Sequence, residues 1–472
     1  MRIFWLLAAL LLLLLLLITS QSMAAESRPN FVLVITDDQR HDAFGLVQKE
    51  QGERGRFPWF TTPNMDRLAG QGMRFRNAFV VNALCSPSRA NFLTGRYSHH
   101  NGVVNNHTPF PASNVTHASA LKAAGYTTAY FGKWHCDAQR ERPGFDRIAT
   151  FVGQGRFINC PLLVDGKETP TKGWVDDVTT DYAIEFLRKQ KGSDKPFDMV
   201  LGFKSPHGPR TPPQRAANHF AGETMRPVPN LDVRAPFRDG PEAQQNKRAA
   251  AAARAGGEGM LNYFRCISAV DDNLGRVLDA LDELGMTENT VVVYTSDNGY
   301  FFGEHGLGDK RAAYEESIRV PLIVRYPKRI KPGTTSDAMV LNIDYAPTLL
   351  ALAGVEVPKE MQGRSWTPLF EGKTDGWRQS FFYEYFFENR FAIPTTLAVR
   401  SATTKLVTYP GHDDWTELYD LASDPFEMKN LARDSAHAEL LESMRKLYKR
   451  ESEEVGYHVP PTADDPATAP KK

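Results

Sequence analysis

Asp37 and Asp38 follow the apolar run FVLVIT (31–36), and Asp297 and Asn298 lie just beyond TVVVYT (290–295). Four hard oxygen donors at two strand ends suit a calcium or magnesium ion better than zinc. Adjacent carboxylates repel one another unless a cation lies between them; the plainer alternative is that DD and DNG are turn formers. A third cluster, CSPSRANFLTGR (85–96), puts Cys85 just ahead of a helix expected over 87–94, with Pro87 at its start and Gly95 at its exit. Free amides at a helix start attract anions. Arg89, four residues past Cys85, lies on the same side and can hold a tetrahedral oxyanion by paired hydrogen bonds. Lys133, Lys310 and Lys204 add positive charge, and His135 and His207 can exchange protons near neutral pH. On residue type alone Cys85 has two readings, a low-pKa thiolate nucleophile or a buried structural cysteine. Neither explains a calcium-type cluster beside it.

These groups need elements to hold them. TTAYF (127–131) empties into Gly132-Lys133-Trp134-His135, and DMVLGF (198–203) into KSPHGP. With the two runs above, that makes four β-branched strands ending in polar residues. Helical patterns lie between them at 117–125, 179–190 and Asn262 to Leu284. In the last, Tyr263, Ile267, Val270, Leu274, Val277, Leu281 and Leu284 make one apolar face. Its Asp271-Asp272 pair reads as solvated or hydrogen-bonded rather than catalytic. The alternation predicts an α/β fold, a large mostly parallel sheet sandwiched by helices, with its site beyond the carboxyl ends of the strands. After MQGRSWTPLF (361–370), the segments SFFYEYF, TLAVRS, KLVTY and ELYDL predict a smaller antiparallel sheet, covered by a helix from about Ala436 to Glu454. The expected organisation is a signal peptide over 1–24, a catalytic domain over 25–365, an antiparallel subdomain over 366–455 and a disordered tail over 456–472. Arg234 to Gly259 reads as a surface helix or an insertion loop.

Lys+Arg and Asp+Glu both total 56, so net charge gives no case for nucleic acid, an anionic membrane or an acidic polymer as partner. The unbroken apolar run from Ile3 to Ile18, after one positive charge and before small residues, reads as the core of the signal peptide. A retained anchor is the alternative at that length. The chain is expected to be exported, periplasmic or extracellular, with no stable membrane insertion after cleavage. Cys85, Cys136, Cys160 and Cys266 are too few for a disulfide scaffold, although a Cys136–Cys160 bridge is open. HCDAQRER (135–142) has the spacing of a thiol phosphatase loop, but it carries Asp137 and Glu141 and no internal glycine with which to wrap a phosphate.

CSPSR with its LTGR extension, GKWH, PHGP and TSDNGYFFGEHGL resembles the signature of the type I, formylglycine-dependent sulfatases of the alkaline phosphatase superfamily. The likeness runs from PNFVLVITDDQR near residue 29 to ELYDLASDPFEMKNLA at 417–432. It implies an alkaline phosphatase-like fold and oxidation of Cys85 to Cα-formylglycine by a formylglycine-generating enzyme. It implies one Ca2+ per chain, with Mg2+ as an alternative, bound by Asp37, Asp38, Asp297, Asn298 and the modified Cys85. Arg89 and Lys133 would orient the aldehyde hydrate that attacks sulfur, and Lys133 and Lys310 would grip the sulfate. His207 would protonate the leaving alcohol; His135 would then take a proton from the remaining hydroxyl, expelling sulfate. The substrate implied is a sulfated carbohydrate, met by loops at 154–177 and 208–240, by Glu384 to Arg390 and by His412. Cys136-Asp137 after GKWH and Lys204 before PHGP depart from the common pattern. Two other functions stay open, a phosphonate monoester or phosphodiester hydrolase of the same superfamily and a non-catalytic binder of sulfated glycans. Asn106 and Asn114 stand in Asn-x-Thr sequons.

Overall fold

The computed structural model describes residues 28–136, 139–238, 257–388, 391 and 393–464. The expected signal peptide and most of the Arg234 to Gly259 segment lie outside them. Ten strands form one sheet: β1 (Asn30–Thr36), β2 (Met73–Phe79), β3 (Thr127–Lys133), β4 (Arg147–Phe151), β5 (Leu162–Val164), β6 (Lys167–Thr169), β7 (Phe197–Gly202), β8 (Thr290–Ser296), β9 (Leu322–Arg325) and β10 (Thr334–Leu341). Their spatial order is β10-β2-β9-β8-β1-β7-β3-β4-β5-β6. The central run β8-β1-β7-β3-β4 is parallel throughout. Strand β9 is antiparallel to both its neighbours, and β5 and β6 close the far edge antiparallel.

A central parallel strand is covered on both faces, so its alternate side chains must serve two cores. Phe31, Leu33 and Ile35 of β1 enter one, with residues of helices Cys85–Thr94, His117–Ala123 and Tyr345–Leu352. Val32 and Val34 enter the other, with helices Pro63–Gln71, Val175–Gln190 and Glu258–Glu283. The apolar stripe read along the last of these is buried from Tyr263 to Leu281. The Asp271-Asp272 pair splits. Asp271 is buried and accepts from the amides of Asn64 at 3.0 Å and Met65 at 2.7 Å, capping helix Pro63–Gln71, while Asp272 stays at the surface beside Arg215.

Parallel register puts the carboxyl ends of these strands on one rim. Thr36 pairs with Ser296, so the residues after β1 and β8 leave side by side; the Asp297 amide donates to the Thr36 carbonyl at 3.0 Å. Gly132 lets β3 reach the same rim. Its φ is +92°, and a Cβ there would stand 1.9 Å from the Gly202 carbonyl oxygen of β7. Backbone cannot yield that far, so Gly132→Ala is expected to cost ~3 kcal/mol or more. Urea denaturation checks this; an unchanged midpoint would contradict it.

Strands β11 (Ser380–Tyr385), β12 (Thr396–Ser401), β13 (Thr404–Thr408) and β14 (Glu417–Asp420) form the expected antiparallel sheet. Helix Ala438–Glu454 covers one face through Met444, against Val399, Leu406, Leu418 and Leu431. From the same sheet Phe381, Tyr383, Tyr385 and Leu397 join the core of the large sheet. Packing continues past Glu454: the Tyr457 ring lies 5.1 Å from that of Phe382, inside the span expected to be disordered. The Cys136–Cys160 bridge, left open by the sequence, is not made: the described residues form no disulfide. Asn114 is buried and donates to the Asn101 carbonyl at 2.8 Å, which makes it a poor glycan acceptor.

Candidate active site

Beyond β1 the chain turns sharply, and Asp38 takes a φ of 72°. A left-handed backbone costs a non-glycine residue roughly 1–3 kcal/mol and persists only where its surroundings enforce it. Here the Asp38 amide donates to Asp297 Oδ1 at 3.1 Å, and its carbonyl accepts from the Tyr263 hydroxyl at 2.7 Å. Asp38 Oδ1 accepts from Asn298 Nδ2 at 2.7 Å and from Lys310 Nζ at 2.6 Å. Oxygens of Asp37, Asp38 and Asp297 and the Cys85 sulfur all lie within 4.8 Å of one another, fully buried. Asn298 Oδ1 faces the same region buried and without a hydrogen-bond partner. Buried acceptors are rarely left so. Three carboxylates and an orphaned amide oxygen form a donor set that fits calcium or magnesium, and a ring nitrogen of His207 also lies within 4.8 Å of Asp37 and Cys85.

Cys85 is the first residue of its helix, which runs Cys85–Thr94 and leaves through Gly95 at φ 65°. Its start is therefore two residues earlier than Pro87 suggested. The thiol donates to Asp37 Oδ1 at 3.2 Å. Burial, and then the negative charge of Asp37, push its pKa well above the ordinary thiol value. A thiolate is disfavoured in that setting. Asn106 holds the helix start by accepting from the Ser86 amide at 3.1 Å.

Positive groups ring the carboxylates. Arg89 gives Nε to Asp297 Oδ2 at 2.9 Å and its terminal nitrogens to the carbonyls of Lys133 at 2.7 Å and Phe203 at 3.4 Å. Lys133 Nζ pairs with the Asp37 carboxylate. Burial alone would raise the pKa of Asp37, but Lys133, His207, Arg89 and Lys310 outweigh it and hold the carboxyl well below the usual range. Asp297 moves the other way, to about 7, because burial and the charge of Asp37 outweigh Arg89. Three acids in one buried space therefore do not ionise alike.

The histidines flank this ring. His207 donates Nδ1–H to the Gly208 carbonyl at 2.6 Å, which leaves Nε2, 4.0 Å from Asp38 Oδ2, as the free lone pair. Burial lowers its pKa to about 3. His135, itself left-handed at φ 56°, touches the side-chain amide of Gln154 through Nε2 at 3.0 Å and accepts from the Ser86 hydroxyl through its carbonyl. Burial, then Lys133, keep His135 neutral as well. The residues singled out in the sequence (Asp37, Asp38, Cys85, Arg89, Lys133, His135, His207, Asp297, Asn298 and Lys310) thus gather at one rim.

Other residues were not foreseen. Gln154, known from sequence only as part of a loop, orients His135, and its carbonyl accepts from Lys204 Nζ at 2.8 Å. Burial lowers Lys204 to about 8. Arg210 lies over the rings of Tyr300 at 4.6 Å and Tyr263 at 5.2 Å. Asp176 is buried and accepts from the amides of Lys204 at 2.8 Å and Ser205 at 3.1 Å, fixing the turn that delivers His207. Asp176→Ala would strand both amides and is expected to cost ~2–3 kcal/mol of stability and roughly tenfold or more in kcat. Thermal melts and steady-state kinetics check this, and wild-type values for both would contradict it. Glu384, expected to meet substrate, points inward instead: it is buried against His99 Nδ1 at 2.5 Å. His412 stacks on Trp415 at 3.7 Å, and Asn389 and Arg390 lie outside the described residues.

Residues 29–355 match the family described as Sulfatase, and residues 303–454 the one described as N-sulphoglucosamine sulphohydrolase, C-terminal. The chain belongs to the sulfatase family. This sulfatase is a sulfuric ester hydrolase with an alkaline phosphatase-like fold. It is 35% identical, over 502 aligned positions, to an N-acetylglucosamine-6-O-sulfatase of Bacteroides thetaiotaomicron, covering 89% of this chain and 87% of the relative. A structure solved with its substrate D-glucosamine-2-N,6-O-disulfate superposes with a TM-score of 0.80 at 33% identity, covering 91% of the sulfatase and 98% of that chain. A phosphonate monoester hydrolase of Agrobacterium radiobacter shares the fold at a TM-score of 0.71 and 24% identity, over 90% and 96% of the two chains.

Proposed function

We propose that this sulfatase releases inorganic sulfate from a 6-O-sulfated glucosamine unit of a carbohydrate, using formylglycine at position 85 and one Ca2+, for which Mg2+ can substitute. The observation that carries the site chemistry is the Cys85 sulfur set among three buried carboxylates beside the unpartnered Asn298 oxygen. The substrate class is supported by the similarity to the N-acetylglucosamine-6-O-sulfatase and to the structure holding a disulfated glucosamine. Asp37, Asp38, Asp297, Asn298 through Oδ1, and residue 85 would hold the cation. Formylglycine supplies a hydrated aldehyde as nucleophile and calcium the charge that acidifies it.

The rest falls to the chain's own groups. Arg89, tied to Asp297 and to two carbonyls, cannot swing away and keeps a guanidinium beside residue 85. Lys133 and Lys310 balance the carboxylates and face incoming sulfate oxygens, where fixed charge counts most as negative charge spreads in the transition state. His207 is neutral before substrate arrives. An entering sulfate raises its proton affinity, and the proton taken up at Nε2 is passed to the leaving alcohol oxygen. His135 accepts a proton at Nε2, the nitrogen that Gln154 touches. A formylglycine-generating enzyme acts on Cys85 during maturation, and residues 1–24 direct export.

Sulfate release from D-glucosamine-2-N,6-O-disulfate, N-acetylglucosamine 6-O-sulfate and 2-O- and 4-O-sulfated sugars tests this, run beside phenyl phosphonate and phosphodiester analogues. The 6-O-sulfates should give the highest kcat/KM. Faster turnover of the phosphonate would install the rival hydrolase reading. Tight sugar binding with no release would leave a glycan-binding protein.

A further inference from the structure

His99 and His100 lie in the single turn Ser98–Asn101 that follows the helix bearing Cys85, and His458 lies just beyond the C-terminal helix. The fold brings these distant segments together. Ring centroids of His99 and His100 are 4.4 Å apart, and His458 stands 5.3 Å from the first and 5.4 Å from the second. One ring nitrogen of each lies within 4.8 Å of one from both others. Three imidazoles are seldom gathered so closely without a charge to share.

The atoms around them suit a cation. His99 Nε2 at 3.1 Å and His100 Nε2 at 2.8 Å donate to one oxygen, the Val455 carbonyl, and a bound ion would take the place of those two protons. Ligand atoms held tetrahedrally at ~2.1 Å from one ion stand roughly 3.4 Å apart, so this spacing must widen by only a few tenths of an ångström. Val455 is the C-cap of helix Ala438–Glu454, whose last turn has no basic residue and ends in Glu453 and Glu454. A helix C-terminus is already negative, and a cation there is stabilised. His99 is oriented from behind by Glu384, its Nδ1 facing the carboxylate at 2.5 Å, the support that metal-binding histidines commonly have. His458 fixes Nδ1 on the Gly456 carbonyl at 3.1 Å, leaving Nε2 as its available lone pair. Gly456, at φ +66°, keeps the approach clear, since a Cβ there would stand 3.4 Å from His100 Nε2. Burial grades from His99, buried, through His100 to His458, exposed, so an ion can enter from solvent.

We propose that His99, His100 and His458, with the Val455 carbonyl, form a second metal site, distinct from the oxygen-rich centre and suited to zinc or a similar imidazole-binding divalent ion. Such an ion would clip the end of the C-terminal helix to the turn behind the nucleophile helix. Its donors are nitrogen-rich where those of the active site are oxygen-rich, so the two sites select different metals.

Equilibrium dialysis of untagged, calcium-loaded protein against Zn2+ tests this, with Co2+ absorption as a second readout. One zinc per chain is expected beyond the calcium, with a nitrogen-ligated cobalt spectrum and a melting temperature that zinc raises by several degrees. His458→Ala removes an exposed side chain and should fold normally. It and His100→Ala should each weaken zinc binding about tenfold or more and abolish the melting shift. Absence of stoichiometric zinc binding would overturn the proposal. So would zinc binding that survives both substitutions unchanged, because the ion would then sit elsewhere, the active-site carboxylates included.

Discussion

Cys85→Ala is expected to lower sulfate release by about 10⁴-fold or more while the protein stays folded, because under the proposed mechanism it removes the atom that attacks sulfur rather than one that helps it. Arg89, Lys133 and Lys310 would remain, held by carboxylates and carbonyls that do not involve residue 85. Binding should therefore outlast turnover. Cys85→Ser separates the chemistry further. It restores a hydroxyl of nearly the same size, but an alcohol sulfated once has no second hydroxyl with which to expel sulfate, so at most one turnover per chain is expected. Steady-state release paired with a melting curve checks both variants. Near-normal release from either would refute the assigned nucleophile.

Chelation should have the next largest effect. Asp37, Asp38 and Asp297 crowd ligand oxygens within 4.8 Å, and the ordinary acidity of Asp297 is lost there through burial and the charge of Asp37. A divalent cation removes that conflict and gives Asn298 Oδ1 a partner. Stripping the ion with a chelator is expected to reduce sulfate release by roughly a hundredfold or more and to lower the melting temperature. Calcium should restore both, magnesium in part, and zinc poorly. Full activity in protein shown by elemental analysis to hold no divalent metal would contradict this.

The site was legible because its residues follow directly from strand ends. An apolar run of β-branched residues announces a buried strand, parallel strands must finish on a common rim, and whatever follows them must meet there. Asp37, Lys133, His207 and Asp297 obey that rule, and so does the central sheet. Support from distant segments was not legible. Asp176 lies inside a helix where nothing local distinguishes it from Asp177, yet one is buried under the Lys204 turn and the other pairs with Arg215 near the surface. Glu384, inside the strand segment SFFYEYF, was expected to meet substrate, because nothing local tells which face of a strand will be covered. In the fold it belongs to β11 and faces His99, a contact across 285 positions of chain. Whether Cys136 and Cys160 bond stayed open in the sequence for a similar reason: spacing permits a bond, but only the fold decides whether two thiols meet. Arg210 and Gln154 sit in loops whose course no periodicity constrains.

The central claim is that residue 85 acts as an aldehyde, and mass spectrometry of the peptide spanning CSPSR in catalytically active protein tests it most directly. The peptide should have lost its sulfur and gained a carbonyl that a hydrazide traps, and the modified fraction should track specific activity from one preparation to the next. Fully active enzyme whose residue 85 is entirely unmodified cysteine would contradict the account.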